Sequence, residues 1–432
     1  MVLRLILFTF IVINFAQSQT PKSLSISEAI ELALKRNPLI VAAKKRIEVA
    51  QGRRVVAKSL ANPSIAIVPI GTTTDNPILL EQVFEFPFKR YLRTKIAESE
   101  IDAAIYDYRT VELDVTFDVK IAYLDLQAAV AILRLTEEAF ELARTFNDLA
   151  QKQHEIGTVP FVHVVRTEIE SRRVEQELEQ AKTEVIAKQI ALNLALGREP
   201  STPVLPADEL SYRPLRISLE ELKELALKNR PEVLVAQSQL LAQRFAFKFA
   251  QSQKLPDFFL LVRFGESERA IRINSPRFGI GITLPLLDFG SIKGEIQTAK
   301  AQVAEREALL EQTKRVVMAE VEIAAKKLAA SQKIVEAYQQ KIVPKAEDLL
   351  KRVKASYAEG GSTLLEVLDA QQTWRMARKE LVQAIANYNK ALSELERAIG
   401  EVGQMGNGQI SSRQMKSGQV FSSATKNHQT AR

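Results

Sequence analysis

Hydrophobic and polar positions along this chain change period in a fixed order, and the order occurs twice. Ile101, Ile105, Tyr108, Glu112, Val115, Val119, Ala122, Leu126, Ala129 and Leu133 advance by alternating fours and threes and are nearly all apolar. Val317, Val321, Ala324, Leu328, Val335, Tyr338 and Ile342 form a similar stripe later on. Such heptad spacing predicts very long helices packed side by side with slight supercoiling. Ahead of each stripe the period falls to two. Ser64-Ile65-Ala66-Ile67-Val68 is followed by the turn-rich Gly71 to Pro77, then by Glu81 to Phe88, with Phe84, Phe86 and Phe88 on one face and Glu81, Val83 and Glu85 on the other. The second copy runs from Phe258 to Phe264, turns around Glu266 to Arg269, and returns through Ile271-Arg272-Ile273 to Phe278 to Leu284. Both read as β-hairpins.

Other landmarks repeat in register. Ser25-Ile26-Ser27-Glu28 and Ala33 to Pro38 recur as Ser218-Leu219-Glu220-Glu221 and Ala226 to Pro231, and Pro63 maps onto Pro256 at the same offset. Leu196-Gly197 and Ile399-Gly400 close the two copies. The chain is therefore an internal duplication: a first repeat over 19–199, a proline-rich linker over 200–216 and a second repeat over 217–400. Ser25 with Glu28, and Ser218 with Glu221, have the spacing of capping boxes at the start of each repeat's first helix. Each long helix breaks and returns, at His154 to Pro160 and at Tyr357 to Thr363, where glycine suits a helix end and Pro160 a helix start. These turns, with Gly157, Thr158, Gly360, Gly361 and Ser362, end two helical hairpins pointing away from the strands.

Two hairpins with apolar faces leave unpaired edges, and closure by copies of the same chain removes them. In a membrane only a closed barrel satisfies every backbone group, and bacterial barrels have even strand numbers of eight or more, so four strands per chain give twelve in a trimer. After Arg4 the apolar stretch Leu5 to Ile13 leads to Ala16-Gln17-Ser18, which reads as a secretory signal peptide over 1–18. No later stretch reaches the roughly 18 consecutive apolar residues of a spanning helix. The chain has no cysteine, hence no disulfide, no thiolate metal site and no lipid anchor. Its hydrophobic fraction of 46% is ample for burial. The net charge of +7 is spread among 52 acidic residues in no block, so nucleic acid is not expected as a partner. The tail over 401–432, rich in Gly, Gln and Ser, is expected to be disordered. A soluble periplasmic coiled-coil adaptor would also account for heptads and export, but it leaves the phenylalanine-faced strands without a role.

Chemistry is sparse. Three histidines, His154, His163 and His428, come with no HExxH, GxSxG or phosphate-cradling glycine loop, so no enzyme activity and no cofactor are expected. Glu366 and Asp369 lie on one helical face after the second turn, and a trimer would set up to six carboxylates around its axis, a ring of the kind that selects cations. The same spacing is also met by a capping box of Thr363 with Glu366, Asp369 merely favouring a helix N-terminus. The first repeat has His163 and Arg166 at the equivalent positions.

Tyr357-x-x-Gly360 followed by Leu364-Leu365-Glu366-Val367-Leu368-Asp369-Ala370-Gln371 resembles the turn motif of the TolC-like outer membrane efflux proteins. The resemblance spans about residues 24 to 400. It implies a mostly α fold with β, in which long helical hairpins and two β-hairpins trimerise into a twelve-stranded outer-membrane barrel on an α-helical periplasmic barrel. It also implies a passive efflux duct whose partners are outer-membrane lipid, a periplasmic adaptor and an inner-membrane pump of the RND type. The family's aperture carboxylates fall on Glu366 and Asp369 and its motif tyrosine on Tyr357, with His163 and Arg166 as further gate positions. This chain departs from the family at His163 and Ser362, where an acidic and a basic residue are common. Glu81 to Arg90 resembles the strand-to-helix junction of the CzcC-like heavy-metal branch.

Overall fold

The computed structural model of the chain describes residues 22–67, 78–215, 218–264, 276–285 and 288–401. The signal-peptide stretch, Ile271-Arg272-Ile273 and almost all of the tail lie outside the described residues.

The first repeat comprises β1 (Lys22–Leu24), α1 (Ile26–Arg36), α2 (Pro38–Lys58), β2 (Ser64–Ile67), β3 (Ile78–Phe84), α3 (Pro87–Glu155) and α4 (Phe161–Ala195). After β4 (Val204–Pro206), the second repeat runs through α5 (Leu219–Asn229), α6 (Pro231–Ser252), β5 (Asp257–Phe264), β6 (Arg277–Thr283), α7 (Ser291–Ala337), a π turn (Tyr338–Ile342), α8 (Val343–Ala358) and α9 (Leu364–Ile399). At 1.5 Å per residue the 69-residue α3 is about 100 Å long. It runs from the strands to the far tip, and the line of α7 and α8 does the same in the second repeat. The 35-residue α4 and 36-residue α9 return only about half that distance. Their ends define an equator, above which α2 and α6 pack on α3 and α7.

Local sequence explains the ends of these helices. The Ser25 box forms: the Ser25 N–H donates to Glu28 Oε2 at 2.9 Å, and the Glu28 N–H donates to Ser25 Oγ. The Ser218 box does not form, because the Ser218 hydroxyl turns to Glu220 Oε2 at 3.3 Å and leaves α5 without a side-chain cap. The first strand pair also differs from the two-residue pattern. β3 begins earlier, at Ile78, and stops at Phe84, because Pro87 suits the first position of a helix. Phe86 thus caps α3 and Phe88 sits in its first turn, so neither belongs to the strand face.

The heptad stripes are the core of each repeat. Val119, Leu126 and Tyr123 are sealed with Leu192 of α4 and Leu196 just past its end, and Val317, Val321 and Leu328 with Tyr388, Leu395 and Ile399 of α9. The second stripe fails at Ile342, which is 40% exposed. Pro344 lacks the N–H of a regular helical bond, and the wider turn at Tyr338–Ile342 accommodates it, rotating the face that follows.

The described part of the linker, residues 200–215, is more than a tether. Val204–Pro206 pairs in parallel with Lys22–Leu24. Tyr123, fully buried, donates its hydroxyl to Leu24 O at 2.8 Å and Asp208 Oδ2 at 2.9 Å, and burial pushes that phenol well above its usual pKa, keeping it a donor. Tyr388 makes the matching tie to Arg213 O at 2.8 Å.

The duplication is also visible at the equator. Asn37 donates through Nδ2 to Ala195 O, and Arg230 through Nη1 to Ala398 O, both at 3.0 Å. Each residue precedes the proline opening a helix and reaches the last turn of its repeat's final helix. Gly197 and Gly400 turn there at φ 67° and 77°, and a Cβ would fall 3.2 Å from Arg36 O in one case and 3.0 Å from the Arg230 backbone in the other. Gly360 has φ 78° but open space around it. Gly360→Ala should therefore cost about 1–2 kcal/mol of left-handed strain, and Gly400→Ala a further 1–3 kcal/mol, roughly, of overpacking. Thermal unfolding followed by circular dichroism tests this: equal shifts for the two variants would contradict the close approach at Gly400.

Candidate functional site at the strand sheet and the helical tip

The four long strands form one antiparallel sheet in the order β2-β3-β5-β6, so the two hairpins are zipped together from Ile78↔Phe264 to Phe84↔Phe258. The register sorts the residues. One face carries Ile65 and Ile67, then Ile78, Leu80, Gln82 and Phe84, then Phe258, Leu260, Val262 and Phe264, then Phe278, Ile280 and Ile282. Every charged residue of these strands, Glu81, Asp257, Arg263 and Arg277, stands on the other face. Gln82 is the one polar group on the apolar face, and its amide donates to Ala61 O and Val83 O at 2.9 Å. The outer edges of β2 and β6 have no ladder partner among the described residues. Water is a poor solvent for such a face, with Ile65 at 72% and Ile280 at 84% exposure.

The sheet is fixed to the helices through Asp257. Its Oδ1 accepts from the Phe86 N–H and from Lys89 Nζ, and its Oδ2 from Lys89 Nζ, all at 2.9 Å, with Lys89 buried. This contact joins the first repeat's strand-to-helix junction to the second repeat's first long strand. No described helix is long and apolar enough to cross a membrane.

At the opposite end the two helical turns are built alike. Gly157 and Gly360 both take φ 78°. The Thr158 N–H donates to Gln153 O, and the Gly361 N–H to Ser356 O, both at 2.8 Å, which satisfies carbonyls that the helix ends would orphan. Ser362 donates its hydroxyl to Ser356 Oγ at 2.7 Å. The two glycines that turn, Gly157 and Gly360, leave exposed backbone with nothing within 4 Å of a would-be Cβ.

Of the singled-out side chains, His163 and Tyr357 come together. They line a crevice of about 20 Å³ with Phe146, Val159, Thr167 and Leu364, between the two hairpin tips. His163 Nδ1 is sealed there without a hydrogen-bond partner in the protein, and the crevice admits one water molecule. His154 stays apart, with Nδ1 at 3.0 Å from Val159 O and its ring against Phe161. Arg166, Glu366 and Asp369 are exposed and do not join the crevice. Glu366 completes a capping box with Thr363: Oε2 accepts from the Thr363 N–H at 2.7 Å and the Glu366 N–H donates to Thr363 Oγ1 at 3.3 Å. Among the described residues no group of three or more His, Cys, Asp or Glu could hold a metal ion.

Sequence reasoning missed the ion pairs that bind α9 to the first repeat. Arg397 meets Asp114 at 2.7 Å, Arg375 meets Glu170 at 2.6 Å, Lys379 meets Glu177 at 2.8 Å, and Lys120 pairs with Glu396 out of solvent. Their only signal is charge of opposite sign at helical spacing, which solvated faces share.

The family model for outer membrane efflux proteins matches residues 79–198 and 222–401. The cobalt-zinc-cadmium resistance protein CzcC of Cupriavidus metallidurans is 23% identical over 385 residues, covering 87% of this chain and 90% of that protein. Nodulation protein T of Rhizobium leguminosarum bv. trifolii is 24% identical over 404 residues, covering 87% and 85%. The outer membrane channel CmeC of Campylobacter jejuni shares the fold with a TM-score of 0.72 at 17% identity, over 89% of this chain and 90% of that one. A soluble adaptor would not carry that match. With one matched segment on each repeat and a sheet whose apolar face is turned outward, the chain belongs to the outer membrane efflux protein family.

Proposed function

We propose that three copies of this chain close their sheets, β6 of one against β2 of the next, into a twelve-stranded barrel in the outer membrane. The long hairpins extend from it as a tunnel into the periplasm. The observation that carries this reading is the four-stranded sheet with one apolar face, all its charge on the other and two open edges. Closure pairs both edges, turns the apolar face to lipid and lines the lumen with Glu81, Arg263 and Arg277. The chain is exported to that place by its N-terminal segment. It conducts passively, receiving its cargo from an inner-membrane pump of the RND type through a periplasmic adaptor that meets the exposed turns at Gly157, Thr158, Gly360 and Gly361. Kinship with a protein named for cobalt, zinc and cadmium resistance supports a metal cation as one such cargo. Native mass spectrometry of protein extracted from outer membranes in detergent tests the assembly. A detergent-dependent trimer is expected, and a soluble monomer would refute the shared barrel.

Opening requires the hairpin tips to part, which separates His163 and Tyr357 on the walls of the crevice they line. Glu366 and Asp369 would then ring the aperture. The Asp369 side chain is exposed, and the Glu366 carboxylate uses only Oε2 in its cap. Glu366→Gln with Asp369→Asn removes the charge while glutamine still completes a capping box. Cation preference in a planar bilayer should fall, with the fold intact. Unchanged selectivity would remove these two residues from the conduction path.

A further inference from the structure

We infer that a slot in the lower wall, between α3, α4 and α9, is a binding site for a small uncharged aromatic molecule carrying a hydrogen-bond acceptor. This goes beyond the conduction reading and does not rest on it. The slot encloses about 230 Å³. An apolar cavity of about 150 Å³ holds benzene, so this one has room for a two-ring molecule. Its walls are mainly apolar, with Leu142, Phe146, Leu368 and Trp374, and the small side chains of Ala139 and Ala143 leave the space open.

Two features set the chemistry of the occupant. The charged groups that also line it are already neutralised: Arg375 binds Glu170 at 2.6 Å, Arg378 binds Glu138 at 2.9 Å and Lys379 binds Glu177 at 2.8 Å. An ion entering the slot would find no unpaired countercharge, so a neutral molecule is favoured. Gln371, in the same wall, is 7% exposed, and its Nε2 is shut off from solvent with no hydrogen-bond partner. A donor left so is costly, because nothing replaces the water it has lost. A turn about its soft terminal torsion would offer the amide to a ligand carbonyl in the slot and satisfy it. Trp374, over which Arg378 lies at 4.8 Å from the ring centroid, supplies an aromatic edge to the site.

Trp374 is the one tryptophan of the chain, so its emission reports on this slot alone. The probe is prodan, a neutral naphthalene with a propionyl carbonyl that accepts energy from tryptophan. The full-length protein in detergent should lose Trp374 emission saturably as prodan emission rises. Dye dissolved in the micelle does not interfere: at 1.5 Å per residue, Glu138 lies about 75 Å along α3 from the strands, beyond energy-transfer range. Gln371→Leu, which removes the unsatisfied donor without opening a hole, should fold normally and weaken prodan binding about tenfold. Ala143→Leu, which fills the slot, should abolish saturable transfer. Transfer that never saturates, or an affinity unchanged in Gln371→Leu, would overturn the assignment, as would equal binding by a folded Ala143→Leu.

Discussion

Lysine in place of Ile280 should abolish assembly in the outer membrane, the largest single-residue effect expected in this protein. Ile280 sits at the middle of β6, is 84% exposed and lies opposite Leu260 on the apolar face of the sheet. A lysine facing lipid near the bilayer midplane costs about 2–4 kcal/mol per chain, and a trimer bears it three times. β6 is moreover the edge that must pair with the next copy. Thr283→Lys, on the same strand but the opposite face, is the internal control, because a lysine there would face the lumen. Membrane fractionation should recover Thr283→Lys as a trimer in the outer membrane and Ile280→Lys as aggregated or degraded chain. Equal recovery of both would mean that the apolar face does not meet lipid.

Much of this architecture was legible in the sequence because it rests on periodicity. The heptad stripes through Val119 and Val321 are dictated by which face is buried, and one chain displays that directly, while the run from Phe258 to Val262 marks a strand by its aromatic and branched side chains. The turns at Gly157 and Gly360 were legible for a related reason, since a left-handed residue at a helix end selects glycine. What escaped reading depends on which of several partners a group meets, near or far along the chain. Ser218 and Glu221 have the same spacing as Ser25 and Glu28, yet only the first pair caps, because a nearer carboxylate, Glu220, captures the hydroxyl. β1 and β4 are three residues each, too short to display alternation, and form because the linker folds back on the start of the chain. The shift at Tyr338–Ile342 was written in Pro344, whose effect on the preceding turn a fixed heptad count does not register. At the tip, the turn motif pointed to Tyr357 and the repeat equivalence to His163, and the two line one crevice. The spacing of Glu366 and Asp369 could not separate a capping role from a place at an aperture, and the capping bond of Glu366 is compatible with both.

The buried pair of Lys120 and Glu396 should show a non-additivity that the half-exposed pair of Arg397 and Asp114 lacks. Lys120 lies midway along α3 and Glu396 near the end of α9, with side chains only 10% and 7% exposed, so the pair couples the first repeat to the second where solvent is excluded. Lys120→Met leaves a carboxylate buried without its counterion, and Glu396→Leu leaves an ammonium so. Either change should cost about 3–5 kcal/mol, whereas replacing both by apolar residues of similar volume should be neutral or stabilising by about 1–4 kcal/mol. By contrast Asp114→Asn, which breaks a pair whose side chains are 40% and 41% exposed, should cost at most about 1 kcal/mol. The measurement is a double-mutant cycle on the thermal unfolding midpoint of the detergent-solubilised protein. Recovery of the double variant to at least the parental midpoint would show that the pair is retained at an energetic cost, and that its role is to fix how the two repeats dock. Additive losses would mean that the two ions are stabilised separately by solvent or by other neighbours, and that the docking of α9 on α3 does not depend on their pairing.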